Sequence, residues 1–284
     1  MILIADSGST KTDWVLLETK AAKKHYFQGL GLNPYYSSAN SIADEVLRLF
    51  QNIDFNSVTN IFFYGSGCST NANKQIVKTG LKALFTKSSI EVYHDMEGAA
   101  RALCKNTKGI ACILGTGSNA AFYNGNKITN SAVSLGYLLG DEGSGNQLGK
   151  QLIRAIYFKT APEKSIQDFN KTFHLSLEDL LNEIYNKPNP NRYLASFAKY
   201  ISEKKSDPFI ADLIQKTFAE FIDLVVTPLN PKKALPVHFT GSISWFFQNE
   251  LQQVVKEKGF IQGVISQKPI DNLIDYHLTF DSIQ

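Results

Sequence analysis

Ile2-Leu3-Ile4-Ala5-Asp6-Ser7-Gly8-Ser9-Thr10-Lys11-Thr12-Asp13 opens the chain, and about a hundred residues later it is echoed by Ala111-Cys112-Ile113-Leu114-Gly115-Thr116-Gly117-Ser118-Asn119-Ala120-Ala121. Each stretch reads as an apolar strand, a tight turn of Gly, Ser and Thr, and a return strand. Small turn residues let backbone N–H groups reach an anion, and glycine also permits positive φ. One such turn is ordinarily only a turn, whereas two copies predict a chain of two related halves, each presenting a phosphate-cradling hairpin. Only the first copy ends its strand on a carboxylate, Asp6. That asymmetry suits a nucleotide held between two lobes, with one acid left to position a magnesium ion.

Length and composition are compatible with this reading. The 284 residues suffice for one large or two ordinary domains, and 43% hydrophobic with 19% charged residues is the balance of a globular protein. The net charge of +3 is small and the lysines are scattered, so no basic stripe points to nucleic acid. Cysteines number three, Cys68, Cys104 and Cys112, without CxxC spacing, which predicts neither a disulfide framework nor a zinc site. The short first strand is not a signal peptide and no apolar run approaches membrane-spanning length. A cytoplasmic protein without membrane association is expected.

The pattern outward from the first hairpin predicts strands over 1–6, 12–18 and 24–28, a helix over 41–51, strand 60–64, helix 71–85, strand 90–94 and helix 96–105. This βββαβαβα order restarts with strands near 109–114, 119–124 and 127–133 and resumes at strand 236–240, a helix to about 258 and strand 261–266. Between them lies an all-helical insertion of about 160–230, punctuated by Pro188, Pro190, Pro208 and Pro228. The fold class predicted is α/β, with lobes over 1–107 and 108–284.

Three acids stand out. Asp95 ends the apolar strand Ile90-Glu91-Val92-Tyr93 and opens a helix, where a carboxylate serves either as a helix N-cap or as a proton acceptor. Asp141 and Glu142 lie between glycines ahead of another helix, and either could simply complement that helix dipole. His94, beside Asp95, reads as a structural strand-end residue, and Asn33 before Pro34 reads as an Asn-Pro turn.

Together the motifs resemble the N-acetylglucosamine kinase-like proteins of the BadF/BadG/BcrA/BcrD ATPase family, in the sugar-kinase branch of the actin, hexokinase and Hsp70 superfamily. The carriers are Asp6-Ser7-Gly8-Ser9-Thr10-Lys11-Thr12, Gly31-Leu32-Asn33-Pro34, His94-Asp95-Met96-Glu97-Gly98-Ala99, Leu114-Gly115-Thr116-Gly117-Ser118-Asn119, Gly140-Asp141-Glu142-Gly143-Ser144-Gly145 and Phe239-Thr240-Gly241-Ser242. The resemblance implies two ribonuclease H-like (actin-like ATPase) lobes with a central cleft and the helical insertion in the second. It implies ATP-dependent phosphorylation of an amino sugar, N-acetylglucosamine to its 6-phosphate, with Asp95 as general base. ATP would meet Gly8, Ser9, Thr10, Lys11, Gly115, Thr116, Gly117, Ser118, Gly241 and Ser242. Asp6 would hold Mg2+, and Asn33, Asp95, Asn119, Ser134, Leu135, Gly136 and Asp141 would meet the sugar, the only partner implied, with a homodimer left open.

One departure concerns the sugar. Family members often carry Gly-Trp-Gly where this chain has Ser134-Leu135-Gly136, so an aromatic wall is absent. Two alternatives come from other classes. Family ATPases that activate another enzyme hold an iron–sulfur cluster on cysteine thiolates, and here Cys68, expected at the surface, is the candidate. A non-catalytic sugar sensor is the other, although both phosphate loops and the acids are present and the chain opens on its first strand without a DNA-binding extension.

Overall fold

A computed structural model describes residues 1–8, 10–18 and 23–279. The chain divides into two compact units, Met1–Asn106 with the segment beginning at Lys268, and Thr107–Gln267. The first carries β1 (Ile2–Ser7), β2 (Lys11–Glu18), β3 (Lys23–Leu30), α1 (Ala39–Leu49), β4 (Asn60–Gly65), α2 (Asn71–Lys82), β5 (Ser89–His94) and α3 (Asp95–Cys104), in the βββαβαβα order read from the sequence. Its sheet runs β3-β2-β1-β4-β5, antiparallel across the hairpins and parallel from β1 through β4 to β5.

β1, β2 and β4 look apolar along most of their length because helices cover both faces of the sheet there. Side chains alternate across a strand, so Leu3, Ala5, Trp14, Leu16, Ile61 and Phe63 join Ile42, Val46, Val77 and Leu81 in one core cluster. Ile2, Ile4, Val15, Leu17, Phe62 and Tyr64 join Ala102 of α3 in another.

The second unit repeats this sheet. β6 (Lys108–Leu114), β7 (Ser118–Asn124), β8 (Ile128–Ser131), β9 (Pro236–Thr240) and β10 (Ile261–Ser266) lie in the order β10-β9-β6-β7-β8, which from the hairpin end is the order of the first sheet. Each unit is thus one ribonuclease H-like α/β lobe. After β8 come α4 (Gly136–Leu139) and α5 (Gly145–Tyr157), then the predicted insertion as α6 (Glu163–Phe173), α7 (Leu177–Tyr185), α8 (Pro190–Ser196), α9 (Ala198–Glu203), α10 (Pro208–Phe221) and α11 (Thr227–Leu229). The short α12 (Ser242–Phe246) and α13 (Gln248–Glu257) connect β9 to β10. Pro190 and Pro208 each open a helix, where a missing N–H leaves nothing unsatisfied. Pro228 lies in the first turn of α11. Its ring would press on the carbonyl four residues back, and the backbone answers with a π turn over Ile222–Val226 before helical geometry resumes.

The sequence pattern shows no element beyond β10. The structure has α14 (Pro269–Thr279), and this segment, grouped with the second lobe in the sequence reading, packs with the first unit. Ile270, Leu273 and Ile274 complete the cluster on Ile2, Ile4 and Phe62, and His277 stacks on Phe62 at 3.8 Å. The physical reason is coverage: α3 contributes only Ala102 to that cluster. Among the described residues no helix is long and apolar enough to cross a membrane.

The two tryptophans, Trp14 and Trp245, fall one in each unit. In a Trp245→Phe background the remaining Trp14, edge-on to Phe50 and Phe63, reports on the first unit alone. Leu273→Ala is expected to reduce the unfolding free energy read from Trp14 fluorescence in urea by about 2–5 kcal/mol, the usual loss for truncating a fully buried leucine. An unchanged transition would detach α14 from that core.

Candidate functional site

The first hairpin ends where β1 and β2 hold Asp6 opposite Asp13. The Gly8 N–H donates to the Lys11 carbonyl at 3.0 Å and closes the turn, and the Thr10 carbonyl accepts from Gly31 N–H at 3.1 Å. Ser9 lies outside the described residues. The Thr12 hydroxyl gives its one proton to the Leu30 carbonyl at 2.7 Å, so across the 2.8 Å contact between the two hydroxyls it is Ser7 that donates. Ser7 in turn accepts from Leu32 N–H at 3.1 Å. This chain fixes the loop that carries Asn33. Asn33 is buried, with its Oδ1 accepting from Tyr35 N–H at 3.0 Å, which is the Asn-Pro turn expected of it.

Asp13, absent from the predicted site, organises the charges here. It accepts from Lys11 Nζ at 3.0 Å, Gln28 Nε2 at 2.6 Å and Lys268 Nζ at 3.3 Å. Lys11 therefore rests on a carboxylate. The Asp6 carboxyl is pushed up to about 7, first by burial, then by the charges of Asp95 and Asp13, with Lys11 and Lys268 opposing. Two charge-bearing strand ends, Asp6 on β1 and Asp95 after β5, are thus electrostatic neighbours. Such crowding of carboxylates around a half-buried acid fits a cation. Among the described residues, however, no group of three or more His, Cys, Asp or Glu side chains could hold a metal ion by itself.

At α3 His94 occupies the N-cap position and Asp95 is the first helical residue. Asp95 Oδ1 takes the Met96 N–H at 2.7 Å and lies 3.0 Å from His94 Nδ1. Burial lowers the His94 pKa, but the hydrogen bond and charge of Asp95 outweigh it and leave the pKa raised. Among the described residues no donor reaches Asp95 Oδ2. Cys68 corrects an expectation: it is fully buried in the core of the first unit, and burial pushes its thiol up to about 12, the Asp95 charge adding and Lys74 opposing. Cys104 and Cys112 are buried as well. An inaccessible thiol held protonated is a poor cluster ligand.

In the second unit the hairpin tip Gly115-Thr116-Gly117 is shaped by the start of α5. The Gly145 N–H donates to the Gly115 carbonyl at 2.8 Å and the Asn146 N–H to the Thr116 carbonyl at 3.1 Å. In a trans peptide the carbonyl and the following N–H point in opposite directions. Turning these carbonyls toward the helix therefore turns the Thr116 and Gly117 N–H groups away from it, and neither has a hydrogen-bond acceptor among the described residues. Two neighbouring backbone N–H groups turned outward in this way can receive an anion. Asp141 braces the hairpin tip, with Oδ1 accepting from Ser118 N–H at 3.3 Å and Oδ2 from Asn146 Nδ2 at 3.0 Å. A Cβ at Gly117 would fall 2.7 Å from Asp141 Oδ2, so only glycine fits. Asp141 has φ 63°, unusual for a residue with a side chain. Burial raises its pKa, while Ser118, Asn146 and Lys150 oppose.

Gly241 belongs to the same cluster. At φ +113° it brings its backbone so near the hairpin that a Cβ would lie 2.3 Å from the Leu114 carbonyl, and Ser242 follows as the first residue of α12. Asn119 commits its Oδ1 to the Ala120 N–H at 2.8 Å. Ser134, Leu135 and Gly136 are exposed at the entry to α4, which Lys150 ties to α5 through the Tyr137 carbonyl at 2.6 Å. The structure thus brings Asp6, Lys11 and Asp95 together in one unit, and Gly115–Ser118, Asp141 and Gly241 in the other. Asp13, Lys268 and Asn146 were missed. Asp13 sits two residues after Lys11 on a strand and so on its face, a signal that could have been read; Lys268 and Asn146 gain their roles only from tertiary packing.

No protein-family model matches the chain. A candidate N-acetylglucosamine kinase from Porphyromonas gingivalis shares 38% identity and superposes with a TM-score of 0.93, covering 99% of this chain and 100% of that one. The N-acetylmuramic acid/N-acetylglucosamine kinase of Clostridium acetobutylicum is 33% identical over 146 residues, 48% of this chain and 46% of that protein, so the match spans under half of the curated relative. A candidate N-acetylglucosamine kinase from Chromobacterium violaceum, 17% identical, shares the fold with a TM-score of 0.72 over 97% of this chain and 98% of that one.

The Asp6 carboxyl, at about 7 against an ordinary 3.8, holds its proton more tightly in the fold than in the unfolded chain. Stability is therefore lost as pH rises from about 4 through about 7. Asp6→Asn, which removes the charge, is expected to melt at a higher temperature than wild type at about pH 8, the gap closing toward about pH 4. A melting temperature below wild type at the alkaline end would contradict the carboxylate crowding.

Proposed function

Since the chain belongs to the N-acetylglucosamine kinase-like family of sugar kinases, we propose that it transfers the γ-phosphoryl group of ATP to a hydroxyl of an amino sugar, N-acetylglucosamine foremost, at the 6-hydroxyl. The observation that supports this best is Asp95, a carboxylate with one oxygen anchored by the Met96 N–H and the His94 ring and the other, Oδ2, without a donor among the described residues. A fixed carboxylate with an open lone pair is what a hydroxyl proton needs as acceptor.

In this reading Asp95 takes the proton of the attacking hydroxyl as its oxygen bonds to the γ-phosphorus, and the bond to the β,γ-bridging oxygen breaks to release ADP. Little covalent chemistry is asked of the protein, and positioning with charge neutralisation does the rest. The outward N–H groups of Thr116 and Gly117 would receive phosphate oxygens, with Gly115 and Ser118 completing that loop and Gly8, Ser9, Thr10 and Lys11 the other. Lys11, resting on Asp13, would lend its charge without leaving that partner. Gly241 and Ser242 would meet the nucleotide on the base side. Asp6 would hold magnesium through water, since the described residues gather no cage of carboxylate, His or Cys ligands. When bound, the ion supplies charge neutralisation at the phosphates. Asn33, Asn119, Asp141 and the backbone of Ser134–Gly136 would meet the sugar.

Asp95→Asn keeps the size of the side chain and an oxygen for the Met96 N–H while removing the proton acceptor. Turnover is expected to fall by roughly two to four orders of magnitude, with the melting temperature and nucleotide affinity little changed. A folded variant that phosphorylates sugar at close to the wild-type rate would sink the assignment. Coupled ADP release over N-acetylglucosamine, N-acetylmuramic acid, glucosamine and glucose, with the phosphorylated carbon located by NMR, identifies the acceptor. N-acetylglucosamine is expected to give the highest kcat/KM, and its 6-phosphate is the expected product.

A further inference from the structure

We propose that Asn146, in the first turn of α5, is a positioning residue that couples the Asp141 carboxylate to the second phosphate loop, so that one side chain sets the sugar end and the phosphate end together. The proposal rests on the kinase reading above for the names of those two ends. Asn146 is fully buried. Its Nδ2 donates to the Thr116 carbonyl at 2.9 Å and to Asp141 Oδ2 at 3.0 Å, while its backbone N–H reaches the same Thr116 carbonyl at 3.1 Å. Both groups facing Nδ2 are pure acceptors, so chemistry fixes the orientation of the amide: a flip would set oxygen against a carbonyl and a carboxylate.

Two consequences follow from those bonds. The doubled grip on the Thr116 carbonyl holds the Thr116–Gly117 peptide plane with the Gly117 N–H turned away from α5, which is the direction a phosphate oxygen requires. The grip on Asp141 Oδ2 holds a carboxylate whose backbone is in the left-handed region, φ 63°, a conformation that persists only where its surroundings enforce it. The cost of this double duty is visible: Asn146 Oδ1 is buried and has no hydrogen-bond donor among the described residues. A residue selected for stability alone would not leave a buried acceptor unsatisfied.

The groups facing Asp141 are few. They are the Ser118 N–H from β7, Asn146 and Lys150 from α5, and Glu142 beside it in the chain, with Lys150 also facing Glu142 and Glu220 of α10. Burial pushes the Asp141 carboxyl up and the amide of Asn146 is one of the groups that restrain it. Loss of that amide should therefore raise the Asp141 pKa further, and a carboxylate in its place should create a pair that shares one proton.

Two variants test this. Asn146→Ala is expected to raise KM for both sugar and ATP by about tenfold or more, the scale of a positioning loss, and to move the acid limb of kcat/KM for sugar to higher pH. The near-isosteric Asn146→Asp is expected to be worst at about pH 8 and to recover as pH falls toward about 6, because the introduced carboxyl, once protonated, again offers Asp141 a donor where the amide stood. A sugar ligand acting alone would raise one KM only, and a structural role alone would not give acid recovery. The proposal is overturned if Asn146→Ala leaves either KM unchanged, or if Asn146→Asp follows the wild-type pH profile. Wild type without sugar-dependent ADP release would sink the kinase reading instead. The coupling is then read by carbon-13 NMR titration of Asp141 in wild type and Asn146→Ala: a higher pKa in the variant supports it, and an unchanged titration overturns it.

Discussion

Thr116 and Gly117 can present their N–H groups only because the first turn of α5 holds the two preceding carbonyls the other way. Backbone donors without partners destabilise a fold, so a hairpin that keeps two of them outward must be clamped from behind. The clamp explains much of its surroundings. Ser144 caps α5 through the Gln147 N–H at 3.3 Å, and the N–H groups of Gly145 and Asn146, which as first-turn donors have no partner within the helix, reach the hairpin instead. Gln147 in turn accepts from Gly143 N–H at 2.5 Å and donates to Glu220 at 2.6 Å, tying the Asp141–Ser144 turn to α10. The large core of the second unit, which runs from β6 to α5 and α10 and includes Leu148, Leu152, Phe218 and Phe221, keeps that helix in place.

The first unit solves a different electrostatic problem. Asp6, Asp13 and Asp95 gather where the strands end, and two lysines from distant parts of the chain temper them. Lys11 comes from the hairpin and Lys268 from the approach to α14. The position of α14 therefore matters beyond its hydrophobic face, because the same segment that covers Ile2 and Ile4 delivers a cation to Asp13. Residual repulsion is left on Asp6. A buried acid whose pKa is pushed up, first by burial and then by the charges of Asp95 and Asp13, costs stability when ionised.

The duplicated strand-turn-strand pattern, and with it both sheets and most helices, was legible in the sequence because β1, β2 and β4 are buried on both faces and read as apolar runs. The two hairpins were legible from their runs of Gly, Ser and Thr, although what requires two of the site's glycines lies far along the chain: Asp141 crowds Gly117 and the Leu114 carbonyl crowds Gly241. What stayed hidden depends on contacts remote in sequence. Nothing in Ile270, Leu273 and Ile274 says which sheet they cover. Pro228 does mark a helix boundary, the first turn of α11, but the π turn just upstream of it is not announced by the sequence. Cys68, in a Gly-Ser-Gly loop, reads as exposed, yet its side chain joins the core cluster that α2 also covers. At α3 the cap is His94 rather than Asp95, which a strand-end histidine does not announce.

That last detail bears on the chemistry. With His94 in the cap position, Asp95 becomes the first helical residue. One oxygen is steadied by the Met96 N–H and the histidine ring, and the other is left open. The second unit meets the same helix-end physics with a neutral answer, directing its N–H groups to carbonyls of the neighbouring hairpin. One helix start thus leaves a carboxylate oxygen open and the other turns two backbone donors outward, two answers to the same unsatisfied first turn.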